Sequence, residues 1–374
     1  MSRALNSSPD GLWANPIVRE DMEYIHARLG VAQKFSGATV LITGAAGFLG
    51  FYISHFFQHL SEQGVDIRSL ILLDRFMFGK PAWLEKLAAA NPRIQVRAFD
   101  ISTDSLEKIP EAKHADFVIH MASIASPIFY RQHPLETIDA NIWGLRRLLD
   151  FYRDGKLKGL LFFSSSEIYG DPSPDQIPTR EDFRGYVSCQ GPRACYDESK
   201  RFGETLCYVF STKYNLPARL VRPFNNYGPG MSLNDQRAPA DFAKNVLEGR
   251  DLVLLSSGSP TRTFCYVADA VTGYLKMLLH DQFDVVNIGI EKPEITIQQL
   301  AETYQLAARK VMNYSGRIVK QTSPDKEYLT NNPERRCPDI SKARRLLNYQ
   351  PEVLVEDGVE KFLKFLWFEH QNRA

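Results

Sequence analysis

The sequence predicts an α/β protein: a doubly wound parallel sheet with helices on both faces and a smaller, mostly C-terminal domain beside it. Three observations predict it. Short apolar runs rich in β-branched residues alternate with helix-period stretches from residue 38 to about 221. A Gly44-x-x-Gly47-x-x-Gly50 motif lies between the first run and the first long helix. An acid, Asp74, closes the second run.

Residues 1–15 are polar and turn-rich and are expected to be loosely held. Ile17, Met22, Ile25 and Leu29 follow at roughly helical spacing, which predicts a short amphipathic helix over 17–30 that docks on the body. Residues 38–43 read as a buried strand, and the glycine motif leads from it into a helix through about Leu60. Strands are expected at 69–73, 94–98, 117–120, 159–163 and 218–221, with helices at 82–90, 134–153 and 196–214. Beyond about 224, proline, asparagine and glycine cluster at 223–230 and the elements shorten. The expected division is an N-terminal extension (1–36), a Rossmann-type dinucleotide-binding domain (37–224, with segments returning near 261–290) and a mainly substrate-binding part (225–374).

The chain has 374 residues, 44% hydrophobic and 24% charged, enough for a large soluble core. A net charge of +1 gives no field that would draw nucleic acid or a membrane surface. The five cysteines form no CxxC pair, which suits reduced thiols in a cytoplasm. No apolar run approaches the length of a membrane span, and the N-terminus lacks the apolar core of a signal peptide. His55 and His59 are four apart, but no third ligand accompanies them, so no metal site is expected.

The glycine motif sits where a dinucleotide needs it. Glycines permit a tight turn and close approach of backbone to a pyrophosphate, whose charge meets the N-terminus of the helix opened by Phe48 and Leu49. Asp74 is placed to accept a hydrogen bond from the ribose 2′-hydroxyl of NAD, and its charge disfavours the 2′-phosphate of NADP. Arg75 beside it blunts that repulsion. Asp100 and Ile101, after the third strand, face either the adenine region or an ordinary strand-end turn.

Tyr196 and Lys200 stand four apart at the start of a helix, on one face and within mutual reach. A free tyrosine, with a pKa near ~10, is a poor base at neutral pH. A neighbouring ammonium is expected to lower that value and let Tyr196 take a proton from a sugar hydroxyl. The strand at 159–163 ends in Ser164-Ser165-Ser166-Glu167, where ligands of open α/β sheets bind. Ser165 can hold the hydroxyl being oxidised, and Glu167 can act one carbon away.

Together these motifs resemble the extended short-chain dehydrogenase/reductase superfamily over about residues 37–365. Several stretches resemble its UDP-glucuronate decarboxylases, also called UDP-xylose synthases. They are Ala122–Tyr130 with Pro134, Thr137 and Asn141, then Ser165–Pro172, Arg222–Pro229, Gly258–Asp269 and Arg335–Ile340. The resemblance implies a tightly held NAD, contacted also by Tyr196 and Lys200, and a UDP-linked uronic acid as substrate. It implies roles for Ser166 and Glu167 near C5, and for Arg336 on the substrate carboxylate. It implies sugar contacts by Tyr130 and Asn225, diphosphate or ribose contacts by Arg237 and Arg262, and pairing into a homodimer through helices 134–153 and 196–214. Departures are Ser165 for the usual threonine, Cys337 for lysine, Asn226 for threonine, and the N-terminal extension.

Two other chemistries share this machinery. A nucleotide-sugar 4,6-dehydratase usually carries an aspartic acid where Ser166 stands, and a serine is a poor proton donor to a leaving group. A 4-epimerase needs only Tyr, Lys and Ser, so Glu167 and Arg336 argue against it. A non-catalytic NAD-binding sensor would be expected to lose the tyrosine or the lysine, and both are present.

Overall fold

The computed structural model describes residues 15–323, 330 and 332–372; the polar stretch expected to be loosely held lies, except for Asn15, outside the described residues. Seven parallel strands form the central sheet: β1 (Thr39–Thr43), β2 (Ser69–Asp74), β3 (Ile94–Ala98), β4 (Phe117–His120), β5 (Gly159–Phe163), β6 (Ala218–Pro223) and β7 (Val285–Ile288). Their order is β7-β6-β5-β4-β1-β2-β3. Strand β7 pairs with β6 in register Val285 to Leu220, so the chain returns to the central sheet after leaving it.

Alternation along the strands feeds two cores. Leu41, Ile71, Val118 and Leu160 face one helical layer. Val40, Ile42, Leu70, Leu72, Ile119 and Leu161 face the other. Both faces are covered, which is why the strands read as continuous apolar runs. The strand order reverses between β1 and β4, and crevices for ligands form at such points.

The expected helix over 134–153 is not one uniform helix. Pro134–Ile138 and Leu145–Tyr152 are α-helical, and Asp139–Gly144 between them is a π-helical turn. Packing demands it. Gly144 presses so closely on the loop after β3 that a Cβ would lie 2.7 Å from Ile101 Cγ2. The turn also places Asn141 to donate to Ser199 Oγ at 2.9 Å. Wide turns of this kind recur at functional sites.

The N-terminal helix, Pro16–Leu29, docks as its apolar stripe predicts, with Met22, Ile25 and Leu29 buried. Asn15 caps it and also reaches Phe365 O and Glu369 of the C-terminal helix Val355–Gln371. Its centre is polar: Asp21, 1% exposed, accepts from Tyr52 Oη at 2.7 Å, Tyr266 Oη at 2.6 Å and Lys361 Nζ at 3.0 Å. Those partners lie on helix Phe48–Glu62, just before helix Val267–Leu278, and on the C-terminal helix. One carboxylate therefore joins the extension to three other segments. Asp21→Ala strands two buried phenols and an ammonium, and is expected to cost on the order of 3 kcal/mol. Asp21→Asn, which still accepts from a phenol, is expected to cost less; denaturant melts of the two variants check this.

Candidate active site

One continuous cavity runs along the C-terminal ends of β1, β2, β4 and β5. At its first end is the glycine turn. Gly44 has φ +71°, and a Cβ there would lie 2.7 Å from Ala122 N; one on Gly50 would lie 2.2 Å from Ala45 O. No side chain caps the following helix, so the N–H groups of Phe48 and Leu49 in its first turn have no intrahelical acceptor, and both residues line the cavity; Gly47, the residue before them, donates its N–H to Gly44 O at 3.3 Å. Asp74 lines it too, accepting from Ala46 N at 2.9 Å and Phe76 N at 2.7 Å. Asp100 accepts from Ser102 N and Oγ and lies 3.8 Å from Arg75 Nε. Thus Asp100 makes its strand-end turn, and with Ile101 it also lines the cavity. This cradle of open N–H groups, glycines and one acid fits NAD.

At the other end stand Ser165, Tyr196 and Lys200. Ser165 caps the short 3-10 turn Ser166–Tyr169, accepting from Glu167 N at 3.1 Å. That leaves its hydroxyl proton for the Tyr196 oxygen, with which it hydrogen-bonds. The sequence expectation for the Tyr–Lys pair needs correcting. Burial pushes the Tyr196 phenol up to about 12; Ser165 and then Arg237 oppose this, while Glu167 and Asp197 add to it. Lys200 does not offset that burial. Its ammonium donates to Phe163 O at 2.8 Å, lies 5.8 Å from the Tyr196 ring centre, and is itself pushed down to about 7 by burial. Desolvation outweighs the charge effect that spacing alone suggests.

Between these ends the Glu167 carboxylate is gripped from two sides. Arg336 Nη1 bonds Glu167 Oε1, and Arg193 Nη2 bonds Glu167 Oε2. Burial works to raise the glutamate, but Arg193, Arg336 and Arg262 hold it down at about 2. Arg336 is 6% exposed and stands behind Glu167, outside the residues that line the cavity. Arg193 is on the cavity wall. Its Nε lies 3.5 Å from Asp197 Oδ2, and burial, with Glu167 nearby, pushes the Asp197 carboxyl up.

The remaining predicted residues divide. Tyr130 is buried, its ring stacked on Tyr196 with centres 5.1 Å apart, and its hydroxyl meets no partner among the described residues. Asn225, at φ +40°, lines the cavity and donates to Thr263 O at 3.0 Å. Arg237 lines it beside Asp235, its Nη2 2.8 Å from Asp235 Oδ2. Arg262 does not. Its guanidinium is occupied by the carbonyls of Thr261 (2.7 Å), Glu334 (3.1 Å) and Pro333 (2.5 Å), so it braces the Arg336 segment rather than reaching toward a diphosphate. Ser166, 4% exposed, opens the 3-10 turn and lines the cavity.

Two residues escaped the sequence reading: Arg193 and Asp197. Both flank Tyr196, and a basic–acidic i,i+4 pair around a tyrosine was the available signal. The histidine pair is packing. His55 Nδ1 donates to Phe51 O, His59 stacks on Phe56, and burial pushes both down to about 4. Among the described residues no three His, Cys, Asp or Glu side chains cluster to hold a metal. No described helix is long and apolar enough to cross a membrane.

Comparison with known proteins agrees with this geometry. UDP-glucuronic acid decarboxylase 6 of Arabidopsis thaliana is 33% identical over 324 residues, 87% of each chain. UDP-glucuronic acid decarboxylase 1 of Danio rerio is 34% identical over 336 residues, 90% of this chain and 74% of that one. The UDP-glucuronic acid 4-epimerase of Bacillus cereus, solved with UDP-glucuronic acid and NAD, superposes with a TM-score of 0.69 at 27% identity, covering 89% of this chain and 99% of that one. Residues 40–289, from β1 to just beyond β7, match the NAD dependent epimerase/dehydratase family, and the chain belongs to that family.

Proposed function

We propose that this protein is an NAD-dependent decarboxylase that converts UDP-glucuronate to UDP-xylose and carbon dioxide. One observation carries the reading: an ionised Glu167 held between Arg193 and Arg336, directly beside Ser165 and Tyr196. A dehydratase needs a proton donor where Ser166 stands. A 4-epimerase needs no paired guanidinium groups next to its glutamate. The similarity to proteins named UDP-glucuronic acid decarboxylases supports the same choice.

Bound NAD supplies the hydride acceptor, the returning donor and a positive nicotinamide charge. The glycine turn and Asp74 hold it. Tyr196, as the phenolate that the positive charge of bound NAD would favour, takes the proton of the sugar's 4-hydroxyl, and Ser165 holds that hydroxyl in line. The 4-keto uronate is a β-keto acid. Its C5–C6 bond breaks, carbon dioxide leaves, and the bonding pair passes to C5 and the C4 oxygen as an enolate, stabilised by the donors at Tyr196 and Ser165. A proton then returns to C5 and C4 is reduced, so the cycle is redox-neutral. Arg336 orients the carboxylate, Tyr130 and Asn225 contact the sugar, and Arg237 faces the nucleotide's diphosphate. The five free cysteines, three of them buried, suit a reducing cytoplasm.

The chain also acts as a homodimer in this reading. Leu135, Trp143, Phe202 and Tyr208, on the two helical stretches 134–152 and 194–214, are 70%, 60%, 47% and 56% exposed. Such a group of large apolar side chains on adjoining helices is what a second copy covers. Trp143→Glu is expected to convert a dimer to a monomer in light scattering; a wild type that elutes as a monomer refutes the pairing.

Incubation with NAD and UDP-glucuronate is expected to yield carbon dioxide and a UDP-pentose, and Tyr196→Phe is expected to lower kcat by about 10²–10⁴-fold. Formation of a UDP-hexuronate without carbon dioxide makes the protein an epimerase instead. Lys200 gives a pH test. Burial lowers its pKa from 10.5 to about 7. Between those values the unfolded chain holds more protons than the folded one, so wild-type stability rises with pH across that window. The melting temperature of Lys200→Met relative to wild type is therefore expected to be highest near pH 7 and to decline toward pH 10, read in protein without added nucleotide.

A further inference from the structure

The Glu167 clamp contains one guanidinium more than the proposed chemistry uses. Arg336 donates through Nη1 to Glu167 and through Nη2 to Gly170 O at 3.4 Å. Any substrate carboxylate that recruits Arg336 competes with Glu167 for it. Glu167 is partly buried, and a partly buried carboxylate left without its partner is costly, so something must hold it when Arg336 turns away. Arg193 already bonds its other oxygen.

Arg193 is built to stay where it is. It is the residue immediately before helix Ala194–Tyr214 and three before Tyr196, so its position and that of the phenol are set by the same helix start. Its far side lies 3.5 Å from Asp197 Oδ2, and the other Asp197 oxygen is buried with no partner among the described residues. Two carboxylates thus share one guanidinium that lines the cavity.

We propose that Arg193 is a positioning residue that keeps Glu167 ionised and fixed on the cavity wall while Arg336 engages the carboxylate of the substrate. The destination of Arg336 rests on the decarboxylase reading above. The charged and titratable groups that bear on Glu167 and Arg193 are Arg336, Arg262, Asp197, Tyr130, Tyr196 and Arg237. With Arg193 gone, Glu167 loses a compensating charge, so its protonation moves up toward the ordinary glutamate range near ~4.3.

The test is a pH series of kcat and KM for UDP-glucuronate with wild type, Arg193→Gln and Arg193→Lys. Expected for Arg193→Gln is a fall in kcat of about 10²-fold, the size typical of a misplaced catalytic group. KM should change less than about threefold, because a role confined to positioning leaves ground-state binding almost intact. The acid limb of kcat should move to higher pH, and Arg193→Lys should recover the greater part of both changes. A large rise in KM with kcat preserved makes Arg193 a direct ligand of the substrate and overturns the proposal; so does an unmoved acid limb. Melting temperatures of the wild type, Arg193→Gln, Glu167→Gln and the double variant give a measurement free of turnover. Arg193→Gln should lower the melting temperature more in the wild type than in the Glu167→Gln background, and strict additivity refutes the pairing. A wild type that leaves UDP-glucuronate untouched sinks the decarboxylase reading itself, an outcome separate from either failure of Arg193.

Discussion

The carboxylate of Glu167, shared by Arg193 and Arg336, is the interaction on which the site depends. Its three members come from distant parts of the chain: the turn after β5, the start of the Tyr196 helix, and the short strand Arg335–Arg336 far toward the C-terminus. Arg193 and Arg336 are largely buried and Glu167 partly so, and charges so placed need partners. The cluster forms only when the parallel sheet and the C-terminal segments are packed together. The same packing brings Ser165 to Tyr196. Further contacts hold the Arg336 strand in place: Thr179 N donates to Cys337 O at 2.9 Å, and the carbonyls of Glu334 and Pro333 are tied to the Arg262 guanidinium.

Behind the serine strip lies a second polar layer that makes the first one rigid. Arg222, near the end of β6, binds Glu204 through Nε at 2.8 Å and Nη2 at 2.7 Å, and donates from Nη1 to Tyr169 Oη at 2.7 Å. Ser164 donates to the same Glu204, and Tyr169 donates to Asn287 Oδ1 on β7. Every member is bonded, which is the condition for a buried network to hold a shape rather than loosen one. The 3-10 turn that carries Ser166 and Glu167 therefore rests on β6, β7 and the Tyr196 helix together. This links the sheet, through side-chain hydrogen bonds, to the positions where chemistry occurs.

Much of this was legible in the sequence. Strand positions followed from apolar runs buried on both faces, and the glycine turn followed from its place between a strand and a helix. The helix 134–153 was legible as helix but not in its π-helical turn, because Gly144 reveals its purpose only against Ile101. The tyrosine–lysine pair was legible by spacing, but its electrostatics were not. Spacing says that an ammonium is near; burial decides that the phenol goes up and the lysine goes down. The family resemblance implied a ligand contact for Arg262, yet three backbone carbonyls occupy its guanidinium. Arg193 passed unnoticed because its partner Glu167 is 26 residues away, and Asp197 because its meaning depends on that of Arg193.

Arg336 was implied by the family resemblance alone; the sequence by itself determined the α/β class, the strand and helix order and the cofactor turn with its acid, and offered Ser165, Glu167, Tyr196 and Lys200 as candidates. These follow from local periodicity, turn chemistry and short spacings, which a chain carries in linear form. Only the tertiary structure decided which charges meet, which are desolvated, and which arginine faces the cavity. Those outcomes depend on contacts between distant segments, 169 residues apart for Glu167 and Arg336 and 340 for Asp21 and Lys361, and on a burial that no single stretch of sequence contains.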